Sequence, residues 1–304
     1  MAAFGRLITA MITPFAENGE VNYAQAVRLA KGLIDGGSDS LVVSGTTGES
    51  PTLTAREKLD LFTQVKAAIG NRGKVIAGTG NYSTAESIEL SRDAERAGVD
   101  GLLLVVPYYN KPPQEGLYQH FRAIASSTQL PCILYNVPTR TVTNMTSDTV
   151  IRLAEIDNIV GVKEASGNYA QVSDIIARAP RGFLLYSGND DDTLPLLSLG
   201  GYGVISVASH LVGGRIREMI NKFTSGDTAG ATSIHHELAP LVKALFLTAN
   251  PIPLKAALNL SGFSVGRPRL PLVELDEKQS ASMAQLLTRY QLDSYIQSQA
   301  VAVS

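Results

Sequence analysis

The 304-residue chain is 44% hydrophobic and 18% charged, so it has the apolar content to bury a large core and reads as a compact soluble protein. Its formal charge of −2 comes from 26 basic and 28 acidic residues that are interspersed, leaving no basic stripe to neutralise phosphates or an anionic membrane. Nucleic acid and lipid are therefore poor candidate partners, and no apolar run approaches the roughly 20 residues that a bilayer crossing needs.

Taken from the start, residues 1–15 include Arg6 and reach Pro14 without a long apolar stretch or a polar cleavage segment. This argues against a secretory signal, and 7–12 reads as the first strand. A second apolar run, 40–43, ends in Ser44-Gly45-Thr46-Thr47-Gly48-Glu49. Two adjacent hydroxyls bracketed by glycines can hold a small carboxylate; an ordinary glycine turn with a capping threonine explains the same residues. A helical pattern follows over 54–69, then a strand at 74–77. Gly78-Thr79-Gly80 is a fragment of a nucleotide-loop pattern without its remaining glycine or lysine, and reads as a strand-end turn. The helix predicted over 84–97 begins with a capping box, Ser83-Thr84-Ala85-Glu86, and stops at Gly98.

The fourth strand, 101–105, leads into Pro107-Tyr108-Tyr109-Asn110-Lys111-Pro112-Pro113 and a helix over 114–126. The fifth, 132–135, leads into Tyr135-Asn136-Val137-Pro138-Thr139-Arg140-Thr141. A buried phenol near a hydroxyl and a second phenol can pass a proton along a hydrogen-bonded chain, although tyrosines also pack with no such role. The one cysteine, Cys132, has no partner for an intramolecular disulfide and sits in an apolar run, which favours a small buried hydrophobe in a reducing compartment; cytoplasm is the expected location.

The sixth strand, 159–163, ends in Lys163-Glu164. Lysine is rarely buried without a reason, and an apolar setting makes the neutral, nucleophilic amine accessible. The alternative is an ion pair between Lys163 and Glu164 or the helix beyond. Strands at 183–186 and 203–206 complete a set of eight. Asp190-Asp191-Asp192, after the seventh, reads as capping of the next helix. Adjacent His235-His236 face different directions on a helix and read as surface residues, not metal ligands.

Eight regularly spaced strands alternating with helical patterns predict an α/β fold, a (β/α)₈ barrel over 1–225; an open doubly wound sheet is the rival. Polar residues follow nearly every strand instead of clustering at one switch point, which favours the barrel. Beyond 225 the strand pattern stops, and 229–247, 253–260 and 276–297 look helical, so 226–304 is expected to be a C-terminal helical segment.

Gly45-Thr46-Thr47-Gly48-Glu49, Tyr135-Asn136-Val137-Pro138 and Gly161-Val162-Lys163-Glu164 together resemble the dihydrodipicolinate synthase and N-acetylneuraminate lyase superfamily over essentially the whole chain. The threonine pair, Pro107-Tyr108-Tyr109-Asn110 with the run 114–121, and Arg140 two residues after Pro138 point to the dihydrodipicolinate synthase family. Sugar-acid lyases of the superfamily typically carry a Ser-Thr pair and lack that arginine. The resemblance implies a pyruvate-dependent class I aldolase in lysine and diaminopimelate biosynthesis, with L-aspartate 4-semialdehyde as second substrate and no cofactor or metal. It implies Lys163 as the Schiff-base lysine, Tyr135 as proton donor and acceptor, and Thr46 and Tyr109 as the rest of a proton relay. Tyr109 would be lent across a tight dimer interface beside Tyr108, within a homotetramer of two tight dimers. Thr47, Gly188 and Ile205 would bind pyruvate, and Arg140 the carboxylate of the second substrate. An L-lysine effector pocket would use Ser50, Tyr82, Glu86 and Tyr108. There the chain departs from sensitive members, which often have histidines where it has Ala55 and Lys58, and an asparagine where it has Tyr82; weak or absent inhibition is expected. The rival functions are another sugar-acid lyase of the superfamily, against which Arg140 argues, and a non-catalytic small-acid sensor, against which the complete lysine and relay set argues.

Overall fold

A computed structural model describes residues 4–296. Its strands are β1 (Leu7–Ala10), β2 (Ser40–Val43), β3 (Lys74–Gly78), β4 (Gly101–Val105), β5 (Cys132–Asn136), β6 (Ile159–Glu164), β7 (Leu184–Ser187) and β8 (Gly203–Ser206). Among the described residues these eight close a parallel barrel, with β8 returning to β1 so that Leu7 lies opposite Val204 and Ile8 opposite Ile205. The open-sheet alternative is thereby excluded.

Side chains alternate along each strand, and the alternation builds two cores. Ile8, Val42, Ile76, Leu103, Ile133 and Tyr135 fill the barrel interior. Their neighbours Leu7, Leu41, Val43, Val75, Leu102 and Leu134 face the helices. Val162 belongs to the outer set, so the next residue on β6, Lys163, is turned inward.

The connections are α1 (Tyr23–Asp35), α2 (Ala55–Ile69), α3 (Thr84–Arg96), α4 (Gln114–Ala125), the single turn α5 (Pro138–Thr141), α6 (Ser147–Ala154), α7 (Tyr169–Arg178), α8 (Thr193–Ser198) and α9 (Ser209–Thr224). Then follow α10 (Thr228–Leu245), α11 (Ile252–Leu260) and α12 (Glu277–Leu287). No helix among the described residues is long and apolar enough to cross a membrane.

Several expectations need correction. Complete capping boxes open α2, where Thr54 and Glu57 satisfy each other's backbone amides, and α12, where Asp276 and Gln279 do the same. At α3 only half of one forms: the Ser83 hydroxyl accepts from the Glu86 amide, but the Glu86 carboxylate is taken by Asn81 Nδ2 at 3.0 Å. The predicted helix over 276–297 stops at Leu287, because the chain turns so that Asp293 can accept from the Gly213 and Gly214 amides at 2.8 and 3.3 Å. A short helical stretch resumes at 294–296, and Gln297 lies outside the described residues. The acidic triplet does not cap α8: Asp192 occupies the N-cap position without a side-chain cap bond. Asp190 turns inward instead, accepting from the Val207 and Ala208 amides at 2.9 and 3.1 Å and from the Ser206 hydroxyl. A buried carboxylate needs donors, and the backbone leaving β8 supplies them.

Candidate active site

The C-terminal ends of the barrel strands converge on a cavity of about 210 Å³ whose walls include Gly45, Thr46, Val105, Tyr108, Tyr135 and Arg140. Lys163 comes up beneath it on β6, in register with Tyr135 on β5 and Tyr186 on β7. Only 5% of Lys163 is exposed, and its ammonium nitrogen lies 4.3 Å from the centroid of the Tyr135 ring. Burial pulls its pKa down to about 7; the Asp190 carboxylate opposes that fall and the Arg140 guanidinium adds to it. Glu164 is not its partner. That carboxylate points the other way, accepting from Asn136 Nδ2, the Ser166 amide and Gln171 Nε2.

The Tyr135 phenol is buried, and burial raises its pKa, against the neighbouring Arg140 guanidinium and a hydrogen bond with Thr46. The next residue, Thr47, is buried and its hydroxyl oxygen accepts from Asn250 Nδ2 at 2.8 Å. Gly188 follows β7 where a Cβ would lie 2.6 Å from that of Ala165 and 3.2 Å from Lys163 Cε, so any side chain there would press on the lysine stem. Ile205 on β8 is fully buried in the inner core.

Thr46, Tyr135 and Arg140 therefore share one cavity wall above Lys163, while Tyr109 stands apart. It is 91% exposed and adopts φ +71°, a left-handed conformation uncommon for a bulky residue. Its neighbour Tyr108 lines the cavity and meets Tyr82 edge to face at 5.2 Å. Glu86 acts on the Tyr108 phenol and also on Lys58, whose pKa is lowered by burial against the attraction of that carboxylate. Elsewhere Cys132 is fully buried and its thiol is pushed up to about 12, as for an inert core residue. His236 is exposed on α10 and His235 half-buried.

Sequence reasoning missed two residues here. Asp190 looked like a helix cap, and nothing local distinguishes it from one. Asn250 attracted no attention, since its partner Thr47 is 203 positions away.

A desolvated lysine at the mouth of an eight-stranded barrel, beside a phenol and a hydroxyl that can exchange protons, defines a lyase of the class I aldolase type. The chain belongs to the Dihydrodipicolinate synthetase family, whose model matches residues 3–290. It is 60% identical over 293 residues to a 4-hydroxy-tetrahydrodipicolinate synthase of Dehalococcoides mccartyi, covering 96% of this chain and 99% of the relative. Among solved structures, a dihydrodipicolinate synthase from Bacillus anthracis superposes with TM-score 0.94 at 45% identity, covering 96% of this chain and 100% of that one. The lysine-bound enzyme from Cyanidioschyzon merolae superposes with TM-score 0.93 at 50% identity, covering 94% and 98%.

Proposed function

We propose that the protein catalyses the 4-hydroxy-tetrahydrodipicolinate synthase reaction, condensing pyruvate with L-aspartate 4-semialdehyde in lysine and diaminopimelate biosynthesis, with Lys163 as nucleophile. The observation that carries the mechanism is the burial of Lys163 beside Tyr135, which holds its pKa about 7 and makes the neutral amine common near neutral pH. The Lys163 amine attacks the pyruvate ketone, and Tyr135 with Thr46 delivers the proton with which the carbinolamine oxygen leaves as water. The resulting iminium acidifies the pyruvate methyl, whose proton passes to the Tyr135 phenolate, and the enamine carbon then bonds to the aldehyde carbon, whose oxygen takes that proton up as the new hydroxyl. The amine of the second substrate finally attacks the imine carbon, closing the ring and returning Lys163. The iminium is the electron sink, so no step calls on a metal or an organic cofactor.

Thr47 would donate to the pyruvate carboxylate, and Gly188 and Ile205 would shape its seat. Tyr109 would complete the relay of a neighbouring subunit in a cytoplasmic homotetramer of two tight dimers, an assignment favoured by its exposure and left-handed backbone. The test is turnover: product should form from pyruvate and L-aspartate 4-semialdehyde. Inactivity on that pair, with cleavage of a sialic or keto-deoxy sugar acid, would move the protein to the sugar-acid lyases.

Arg140 lines the cavity, and its planar fork suits a carboxylate. Arg140→Ala is expected to lower kcat/KM for L-aspartate 4-semialdehyde by about 2–5 kcal/mol in activation free energy while the pyruvate adduct still forms. Steady-state kinetics beside adduct trapping decide it; an equal loss in both would remove Arg140 from the second substrate.

The effector pocket implied by Ser50, Tyr82, Glu86 and Tyr108 would have a cation beside its carboxylate. Lys58 is half-buried within the field of Glu86, the carboxylate that an amino-acid ammonium group would need. A second cation 4 Å from it meets a repulsion of about 1 kcal/mol even in full water screening, and more when desolvated. Initial rates are therefore expected to hold nearly constant as L-lysine is raised to millimolar concentration. Micromolar inhibition would show that Lys58 leaves the pocket open.

A further inference from the structure

The loop after β2 carries Thr46 and Thr47, yet much of what fixes it comes from the other end of the chain. Asn250, between α10 and α11, is 6% exposed, and its Nδ2 donates to the hydroxyl oxygen of Thr47, itself 3% exposed, across 2.8 Å. Two residues further along the loop, the Glu49 carboxylate meets the ammonium of Lys255 on α11 at 2.6 Å, with both side chains almost wholly withdrawn from water. The second oxygen of Glu49 accepts from the Arg269 amide at 2.9 Å. Glu49 has φ +56°, a strained backbone for a glutamate that these contacts hold in place. From the barrel side, the Thr13 hydroxyl donates to the Gly48 carbonyl at 2.7 Å. The segment around α11 is thus joined to the loop at both 47 and 49.

The first of these joints has a chemical consequence. A threonine hydroxyl has one proton to donate and an oxygen that can accept. Because the Thr47 oxygen accepts from Asn250, its proton is left to point at another acceptor. We propose that Asn250 is a positioning residue for pyruvate recognition, holding the Thr47 hydroxyl as a donor toward the substrate carboxylate. The inference rests on the assignment of Thr47 to that carboxylate. The Glu49–Lys255 pair keeps Asn250 and Thr47 at hydrogen-bonding distance by fixing their two segments together.

The experiment measures the pyruvate concentration that half-saturates formation of the borohydride-trapped adduct, with KM for both substrates, in wild type, Asn250→Ala, Asn250→Asp, Thr47→Val and the double variant Thr47→Val/Asn250→Ala. Asn250→Ala is expected to raise half-saturating pyruvate about tenfold, the scale of a weakened hydrogen bond to a charged group. Asn250→Asp should raise it further, because a carboxylate accepts the Thr47 proton and repels the substrate's own charge. KM for L-aspartate 4-semialdehyde should stay near the wild-type value, and Asn250→Ala should add nothing in the Thr47→Val background. A purely structural asparagine would not lose its effect when Thr47 is already valine. Asn250→Asp is close to isosteric and carries the test by itself if the alanine variant does not fold. Wild-type pyruvate saturation in both Asn250 variants, with Thr47→Val impaired, would overturn the inference and leave the assignment of Thr47 standing. Wild-type saturation in Thr47→Val would overturn that assignment instead.

Discussion

Replacing Lys163 with alanine is expected to leave a folded barrel whose turnover is reduced by at least about 10³-fold, the scale seen when a covalent nucleophile is removed. The fold should tolerate the change because, among the described residues, no hydrogen bond to the Lys163 nitrogen ties barrel elements together. Circular dichroism and steady-state kinetics on the same preparation check both halves. In the wild type, adduct formation should follow the neutral amine. With a folded-state pKa about 7, the reactive fraction grows as pH rises through neutrality, so trapping should be slow at pH 5.5 and near its plateau by pH 8.5. An unperturbed lysine, titrating near 10.4, would still be gaining reactivity well above that range.

Tyr135→Phe is the second large effect. The ring that packs 4.3 Å from the Lys163 nitrogen is retained, and only the phenol proposed to exchange protons is lost. Turnover is expected to fall by about 10²–10⁴-fold, the usual contribution of a positioned acid–base group. The slowest step should become formation or dehydration of the carbinolamine, so single-turnover trapping with pyruvate should slow in parallel with kcat. Near-normal trapping beside poor turnover would move Tyr135 to a later proton transfer. Near-normal turnover would remove it from the chemistry.

The barrel is legible in the sequence because each strand is a short apolar run and each connection has helical periodicity, both local patterns. Where the boundaries slip, a non-local partner is responsible. The apolar run 7–12 continues past β1, but its ladder ends at Ala10, since the Ile12 amide turns to His210 Nε2 at 3.1 Å. The run 276–297 keeps its pattern past Leu287, yet Asp293 docks on α9 and breaks the helix.

The site divides in the same way. Lys163 stands out because a lysine closing an apolar strand is rare, while Thr46, Tyr135 and Arg140 stand at or just past the ends of β2 and β5 and are picked out by the family resemblance. Asn250 and the Glu49–Lys255 pair leave no such mark. Their partners lie about 200 residues apart in sequence, and only the folded chain brings them together. The triplet 190–192 misleads because an acidic run before a helix has the composition of a cap, while the burial that turns Asp190 toward Lys163 is a tertiary property.

The proposed chemistry turns on which atom captures pyruvate. Borohydride reduction of the wild-type protein with pyruvate, followed by proteolysis and mass mapping, should leave one stable adduct on the peptide containing Lys163 and none in Lys163→Ala. An adduct on Lys255 or another lysine, or no adduct from an enzyme that turns over, would contradict it.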